Sequence, residues 1–180
     1  MFWTKNKEGK KTGTTLIGIS WDGDAAIGTD FNEAKADGNQ ISRIEQVGNI
    51  LIGFTGPTNH IEGFDIAKSA IESGANIEDT AGKIADLWKT NKDVNAFLAF
   101  LDGERSFVAV PGKAEVQKAG LVALGPGEEY ALAAIRAILA QPVVQESAFE
   151  MVKKAFNVAS GVCVLVNSDA TIVKLEKQRV

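Results

Sequence analysis

The order of apolar runs and turn signals in this sequence predicts an α+β fold, a four-layer αββα sandwich. Three observations carry that prediction. Short strand-like runs come in consecutive pairs, split by brief turn signals that mark antiparallel hairpins. Two pairs of amphipathic helical segments interrupt them. The resulting order of strands, two helices, strands, two helices and strands leaves no βαβ alternation for a parallel sheet. Two sheets packed together, each covered by one helix pair, would bury every apolar face.

The elements follow in order. Residues 16–20 and 25–29 read as strands joined by the turn signal Asp22-Gly23-Asp24. A polar stretch over 30–39 contains a second turn signal, Asp37-Gly38. Residues 40–46 and 49–55 predict another strand pair, turning at Gly48-Asn49, and Gly56-Pro57 ends the β region. A helix is expected over 59–73, where Ile61, Phe64, Ala67 and Ile71 recur at helical spacing and Gly74 closes the run. Asn76 is placed to cap the next helix, with Glu78 and Asp79 in the first turn and Ile77, Ala81, Ile84 and Trp88 as its buried stripe. Strand signals return over 96–101 and 106–110, split by Asp102-Gly103, and again over 114–118 and 121–124. Helices are expected over 128–140 and 145–159, separated by Pro142. The chain is expected to close with a hairpin of 162–167 and 171–175 through Ser168-Asp169.

The totals narrow the function classes. A chain of 180 residues fits one domain, and 45% hydrophobic with 23% charged residues is an ordinary globular balance. The net charge of −4 gives no basic footprint for nucleic acid. A single cysteine, Cys163, excludes an intrachain disulfide framework, and with a single histidine, His60, it argues against a thiolate or imidazole metal site. No cofactor is expected. Residues 1–13 read as a polar N-terminal extension carrying Lys5, Lys7, Lys10 and Lys11, distinct from a body over 14–180. The extension lacks the apolar stretch of a signal peptide, and no segment is long enough to span a membrane, so a cytoplasmic location is expected. Phe2 and Trp3 stand out in that polar extension as candidate anchors against the body or a neighbouring subunit.

Specific motifs then set a family resemblance. Thr12-Gly13-Thr14-Thr15-Leu16-Ile17-Gly18 resembles the processing site of proteasome β subunits, where cleavage after glycine frees a catalytic threonine. The likeness continues through Asp22-Gly23, Gly28-Thr29-Asp30, Gly53-Phe54-Thr55-Gly56, Ala123-Leu124-Gly125-Pro126-Gly127 and Gly161-Val162-Cys163-Val164. The chain thus resembles the proteasome β-subunit and HslV-like N-terminal-nucleophile (Ntn) hydrolases over nearly everything from Thr14 onward. The resemblance implies the same αββα sandwich, a homo-oligomeric ring, and as partner an AAA+ unfoldase or a larger assembly.

A threonine nucleophile needs a base to take its hydroxyl proton, and a free α-amine, titrating near pH 7.7–8.0, can serve. An amide nitrogen cannot, so Thr14 is inert while bonded to Gly13. By resemblance, Asp30 matches the family's first supporting aspartate, and Gly53 offers the backbone N–H of an oxyanion donor. The other supports are replaced. Gln40 stands at the lysine position and carries no charge to favour deprotonation. Pro126 stands where a serine is expected and has neither hydroxyl nor N–H, while Gly161 (or Ser160) takes the place of a second aspartate. If the short loop after Asp30 shifts the register, Lys35 becomes a candidate for the missing cation; Arg43 is expected on the opposite strand face from Gln40.

Weaker signals read blandly. Asp30, Glu33 and Asp37 fit no calcium loop and read as a solvated turn. Gly125-Pro126-Gly127 is a poor phosphate cradle beside Glu128 and Glu129. His60 reads as surface or a cap, and Cys163 as a buried thiol on the closing strand. Two functions therefore compete: a catalytically silent assembly subunit keeping its leader as a structural arm, and a threonine peptidase self-processed between Gly13 and Thr14 that degrades unfolded polypeptides.

Overall fold

A computed structural model describes residues 14–30, 33–34, 40–90, 94–116 and 120–176. Alternating apolar residues along the chain build two antiparallel sheets. One has four strands in the order β10-β1-β2-β11, from β1 (Leu16–Trp21), β2 (Asp24–Thr29), β10 (Leu121–Leu124) and β11 (Thr171–Lys174). The other has five in the order β5-β6-β7-β8-β9, from β5 (Ile44–Val47), β6 (Ile50–Thr55), β7 (Phe97–Leu101), β8 (Ser106–Val110) and β9 (Lys113–Val116). A further two-residue pair joins β3 (Glu33–Ala34) to β4 (Gln40–Ile41). The helices come in the expected pairs, α1 (Glu62–Glu72) with α2 (Ile77–Lys89) and α3 (Glu128–Leu139) with α4 (Ala148–Val162).

Strand periodicity sorts the core into three apolar layers. In β1 and β2, Ile17, Ile19 and Ala26 face α3 and α4, where they meet Ile135, Met151, Val152 and Phe156. Their neighbours Leu16, Ala25 and Ile27 turn the other way and meet Leu51, Ala99 and Leu101 between the sheets. In β6 and β7, Ile52, Phe54, Leu98 and Phe100 face α1 and α2 against Phe64, Ile84 and Trp88. Each sheet is thus buried on both faces, and the four layers αββα are the observed architecture. The spacing between the sheets is set partly by Gly53, whose Cβ would lie 2.5 Å from Ile27 Cδ1 and 3.0 Å from Leu16 Cδ1.

Local capping follows the sequence. Asn76 accepts the N–H of Asp79 at 2.8 Å at the start of α2, and its stripe of Ile77, Ala81, Ile84 and Trp88 is buried. Ser147 and Glu150 form a reciprocal capping box at the start of α4.

Three expectations are corrected. The strand expected over 40–46 is split at Ser42-Arg43, so β4 pairs with β3 while β5 pairs with β6. The helix expected from residue 59 opens instead with a short 3₁₀ turn, Thr58–His60, before α1 begins at Glu62. The closing hairpin does not form. Only Val162 of its first half belongs to α4; residues 163–170 run through turns and irregular backbone, and β11 pairs with β2 instead. The helix passes its expected end at 159 by three residues, as Val152, Ala155, Phe156 and Ala159 keep a stripe buried against the four-stranded sheet. Beyond it the Val166 N–H turns back to the Cys163 carbonyl at 3.1 Å. Cys163 is accordingly half-buried at the C-cap of α4, not on a strand.

Candidate active site

Four chain segments end at one edge of the sandwich, around the start of β1. Thr14 and Thr15 are both buried there, at 4% and 0% exposure. Asp30 follows β2, Thr55 ends β6, the turn 125–127 follows β10, and Asn167 lies in the segment leading to β11.

Asp30 is the hub. Its Oδ1 accepts the Thr15 N–H at 2.7 Å, and its Oδ2 accepts the Asn167 N–H at 2.9 Å. Its own N–H continues the β1–β2 ladder to the Thr15 carbonyl at 3.3 Å. Burial raises the Asp30 carboxyl above the ordinary aspartate value, while the N–H groups of Asn167 and Thr15 pull it the other way. Both carboxylate oxygens are therefore engaged with backbone, one at the Thr14-Thr15 segment and one across the site.

The turn at Gly125-Pro126-Gly127 closes over the threonines. The Thr15 hydroxyl donates to the Pro126 carbonyl at 2.8 Å, within the protein interior. Gly125 sits at φ 103°, and a Cβ there would run into the Thr14 carbonyl oxygen, so only glycine allows this approach. The Glu128 carboxylate accepts the Gly125 N–H at 3.3 Å and closes the turn. From the other side the Thr55 hydroxyl donates to the Thr14 carbonyl at 2.8 Å. Position 126, which faces the threonines, thus presents a carbonyl acceptor and no proton donor.

The remaining candidate residues lie as follows. Gly53 is mid-strand in β6, opposite Ile44 on one side and Ala99 on the other. The Phe54 N–H is given to the Arg43 carbonyl at 2.8 Å, so by alternation the Gly53 N–H is directed toward β7 and its Ala99 partner. Gly161 lies in the last turn of α4 with open space around it, and Ser160 bonds only the Asn157 carbonyl among the described residues. Backbone at Gln40 belongs to β4; its side chain, Lys35, Asp37 and the Glu33 side chain lie outside the described residues, as does the whole 1–13 extension. Among the described residues, no group of three or more His, Cys, Asp or Glu side chains is arranged to hold a metal.

Thr55 and Asn167 contribute without having been singled out in the sequence, and Arg43 contributes in a way its spacing did not indicate. Thr55 clamps Thr14, and Asn167 completes Asp30. Arg43, 4% exposed, donates from Nη1 to the Gly56 carbonyl at 2.7 Å and lies 5.3 Å from the Phe54 ring centroid. An arginine in the middle of an otherwise strand-like run was the available signal for Arg43. Nothing local marks Asn167, which meets Asp30 across 137 residues of sequence.

Comparison with known proteins gives the same answer as the geometry. No family model matches the chain. The ATP-dependent protease subunit HslV of Chlorobium luteolum is 30% identical over 172 residues, covering 88% of this chain and 92% of the relative. Among solved structures, eukaryotic HslV from Trypanosoma brucei superposes with a TM-score of 0.74 at 21% identity, over 90% of this chain and 99% of that one. The Thiobacillus denitrificans BPH structure in complex with epoxomicin gives a TM-score of 0.63 at 16% identity, covering 92% of this chain and all (100%) of that one. These two likenesses bear on the fold. With threonines at the head of β1, an aspartate at the end of β2 and that extent of identity to a curated relative, the chain belongs to the HslV family of proteasome-like subunits.

Proposed function

We propose that this HslV-like subunit is catalytically silent, self-associates into a ring, and keeps residues 1–13 attached as a structural arm. The observation that carries the reading is the Pro126 carbonyl standing over Thr14-Thr15 and taking the Thr15 hydroxyl. A peptidase built on Thr14 needs a proton acceptor for its hydroxyl and a proton donor to move that proton on. Among the described residues, Asp30 accepts the N–H groups of Thr15 and Asn167 and the Thr15 hydroxyl donates to the Pro126 carbonyl, with no lysine, arginine or histidine side chain bonded to Asp30 or Thr15. Gln40, at the lysine position by resemblance, supplies no charge. Self-association is supported by the relative's being a protease subunit. An ATPase ring of the kind an ATP-dependent protease works with is the proposed partner, in a cytoplasmic setting.

Intact mass tests the reading. The full 19.1 kDa chain, with no covalent adduct after incubation with epoxomicin, is expected. Loss of residues 1–13 together with an epoxomicin adduct would establish the threonine peptidase instead.

A further inference from the structure

We propose that the outer surface where α3 begins and α4 ends is the docking site for the chain's own N-terminal arm, residues 1–13. This deepens the reading above, because a docked arm is one that stays attached.

The surface is both apolar and acidic. Val158 and Val162 lie one turn apart on α4, 47% and 57% exposed, and Val164 just beyond is 81% exposed. Tyr130, in the first turns of α3, is 43% exposed. The two helix ends converge, since a Cβ on Gly127 would meet Val166 at 2.5 Å and Cys163 at 3.5 Å. Glu128 and Glu129 are exposed in the first turn of α3 at this same place. At the far end of α4, Glu146 and Glu150 also carry negative charge, but the exposed Lys153 and Lys154 lie nearby and Lys154 pairs with Glu146 at 2.5 Å.

The arm has the complementary character and starts beside this surface. It carries Lys5, Lys7, Lys10 and Lys11 against a single Glu8, with Phe2 and Trp3 at its far end. It joins the body at Thr14, whose carbonyl packs directly on Gly125, three residues before Glu128. Ten residues lie between Trp3 and Thr14, eleven residue steps that reach up to about 36–40 Å when extended. That exceeds the roughly 18 Å length of a twelve-residue helix, so length does not limit where the aromatics seat. Lysine–glutamate attraction would hold the middle of the arm, and Phe2 and Trp3 would cover Tyr130, Val162 and Val164.

The test uses zero-length carbodiimide cross-linking of lysines to carboxylates, mapped by mass spectrometry. Full-length Thr14→Ala chain, which cannot cut itself with Thr14, is prepared as an equal mixture of ordinary and ¹⁵N-labelled protein. Lys10 and Lys11 are tethered close to Thr14, so Lys5 and Lys7 are the informative positions. Cross-links from Lys5 and Lys7 to Glu128 and Glu129 are expected within single-isotope chains. They should exceed those to Glu72 and Glu78 on the opposite helical layer by at least about five-fold, and weaken in 1 M salt. A Phe2→Ser/Trp3→Ser variant and a Val162→Ser/Val164→Ser variant should each lower them several-fold. Amide exchange at residues 162–166 should be slower with the aromatics present than without them. Equal yields at both layers, mixed-isotope links only, or indifference to both serine variants would each overturn the proposal. Mixed-isotope links would assign the surface to a second copy's arm. Because the arm is retained in Thr14→Ala whatever the wild type does, this failure is distinct from failure of the silent reading, which the wild-type mass decides.

Discussion

At the scale of single residues, Asp30 ties the site together by accepting the N–H groups of Thr15 and Asn167, with no charged partner among the described residues. Its raised pKa has a defined consequence for stability. A carboxyl that holds its proton more tightly when folded contributes stability that is fully present below the ordinary value of 3.8. That contribution is lost as pH rises through the raised folded-state value. The non-titrating Asp30→Asn variant is the reference. The unfolding free energy of the wild type minus that of Asp30→Asn should fall as pH rises from 3.8 and then level off, as read from urea unfolding across a pH series. A difference that grows with pH would show that the bonds from Thr15 and Asn167 outweigh desolvation. The identities of Thr14, Asp30 and Pro126 were legible in the sequence. Their mutual geometry was not, because the Thr15–Pro126 contact spans 111 residues and has no local signature.

At the scale of elements, two glycines separate tight packing from backbone necessity. A methyl at Gly53 would meet the side-chain ends of Ile27 and Leu16, which can shift at a cost of about 1–3 kcal/mol. A methyl at Gly125 would meet the Thr14 backbone carbonyl from a residue at φ 103°, where neither partner can turn aside. Gly125→Ala should therefore destabilise the chain more than Gly53→Ala, by about 1 kcal/mol or more, in paired urea titrations. Equal losses would mean that the turn relaxes freely away from Thr14. Element type was readable where periodicity was clean, as in β1, β2, α2 and β6–β8. It misled at residues 162–167, where Val162 ends α4 and Val164 and Val166, despite their strand propensity, lie in the turn that follows. It also missed the break at Ser42-Arg43, because an arginine that turns inward toward Gly56 cannot be told from a surface one by sequence spacing.

At the scale of the whole molecule, the two helical layers differ in what they leave uncovered. α1 and α2 expose Ile66 and Leu87 singly, whereas the junction of α3 and α4 gathers Tyr130, Val158, Val162 and Val164 beside two glutamates. Scattered apolar residues are normal on a surface, but a local group of this kind calls for a cover. The arm supplies that cover in the arrangement proposed above, leaving other faces for ring contacts. Light scattering of the purified chain should accordingly give a particle several times 19.1 kDa, and the size should persist in the Phe2→Ser/Trp3→Ser variant. A monomer under all conditions would overturn the ring. Collapse to a monomer in that variant would place the arm between subunits instead.

By itself the sequence determined the layer order, the helix pairs, most hairpins and the Gly13-Thr14-Thr15 mark of ancestry, because periodicity, capping and turn chemistry act over a few residues. Only the tertiary structure decided that β11 pairs with β2, that Gly53 is bound into a ladder, and that Asp30 reaches Asn167. It also set the Pro126 carbonyl over Thr15. Those outcomes depend on which distant segments the packed sheets bring to one edge, and no local pattern in the chain encodes that meeting.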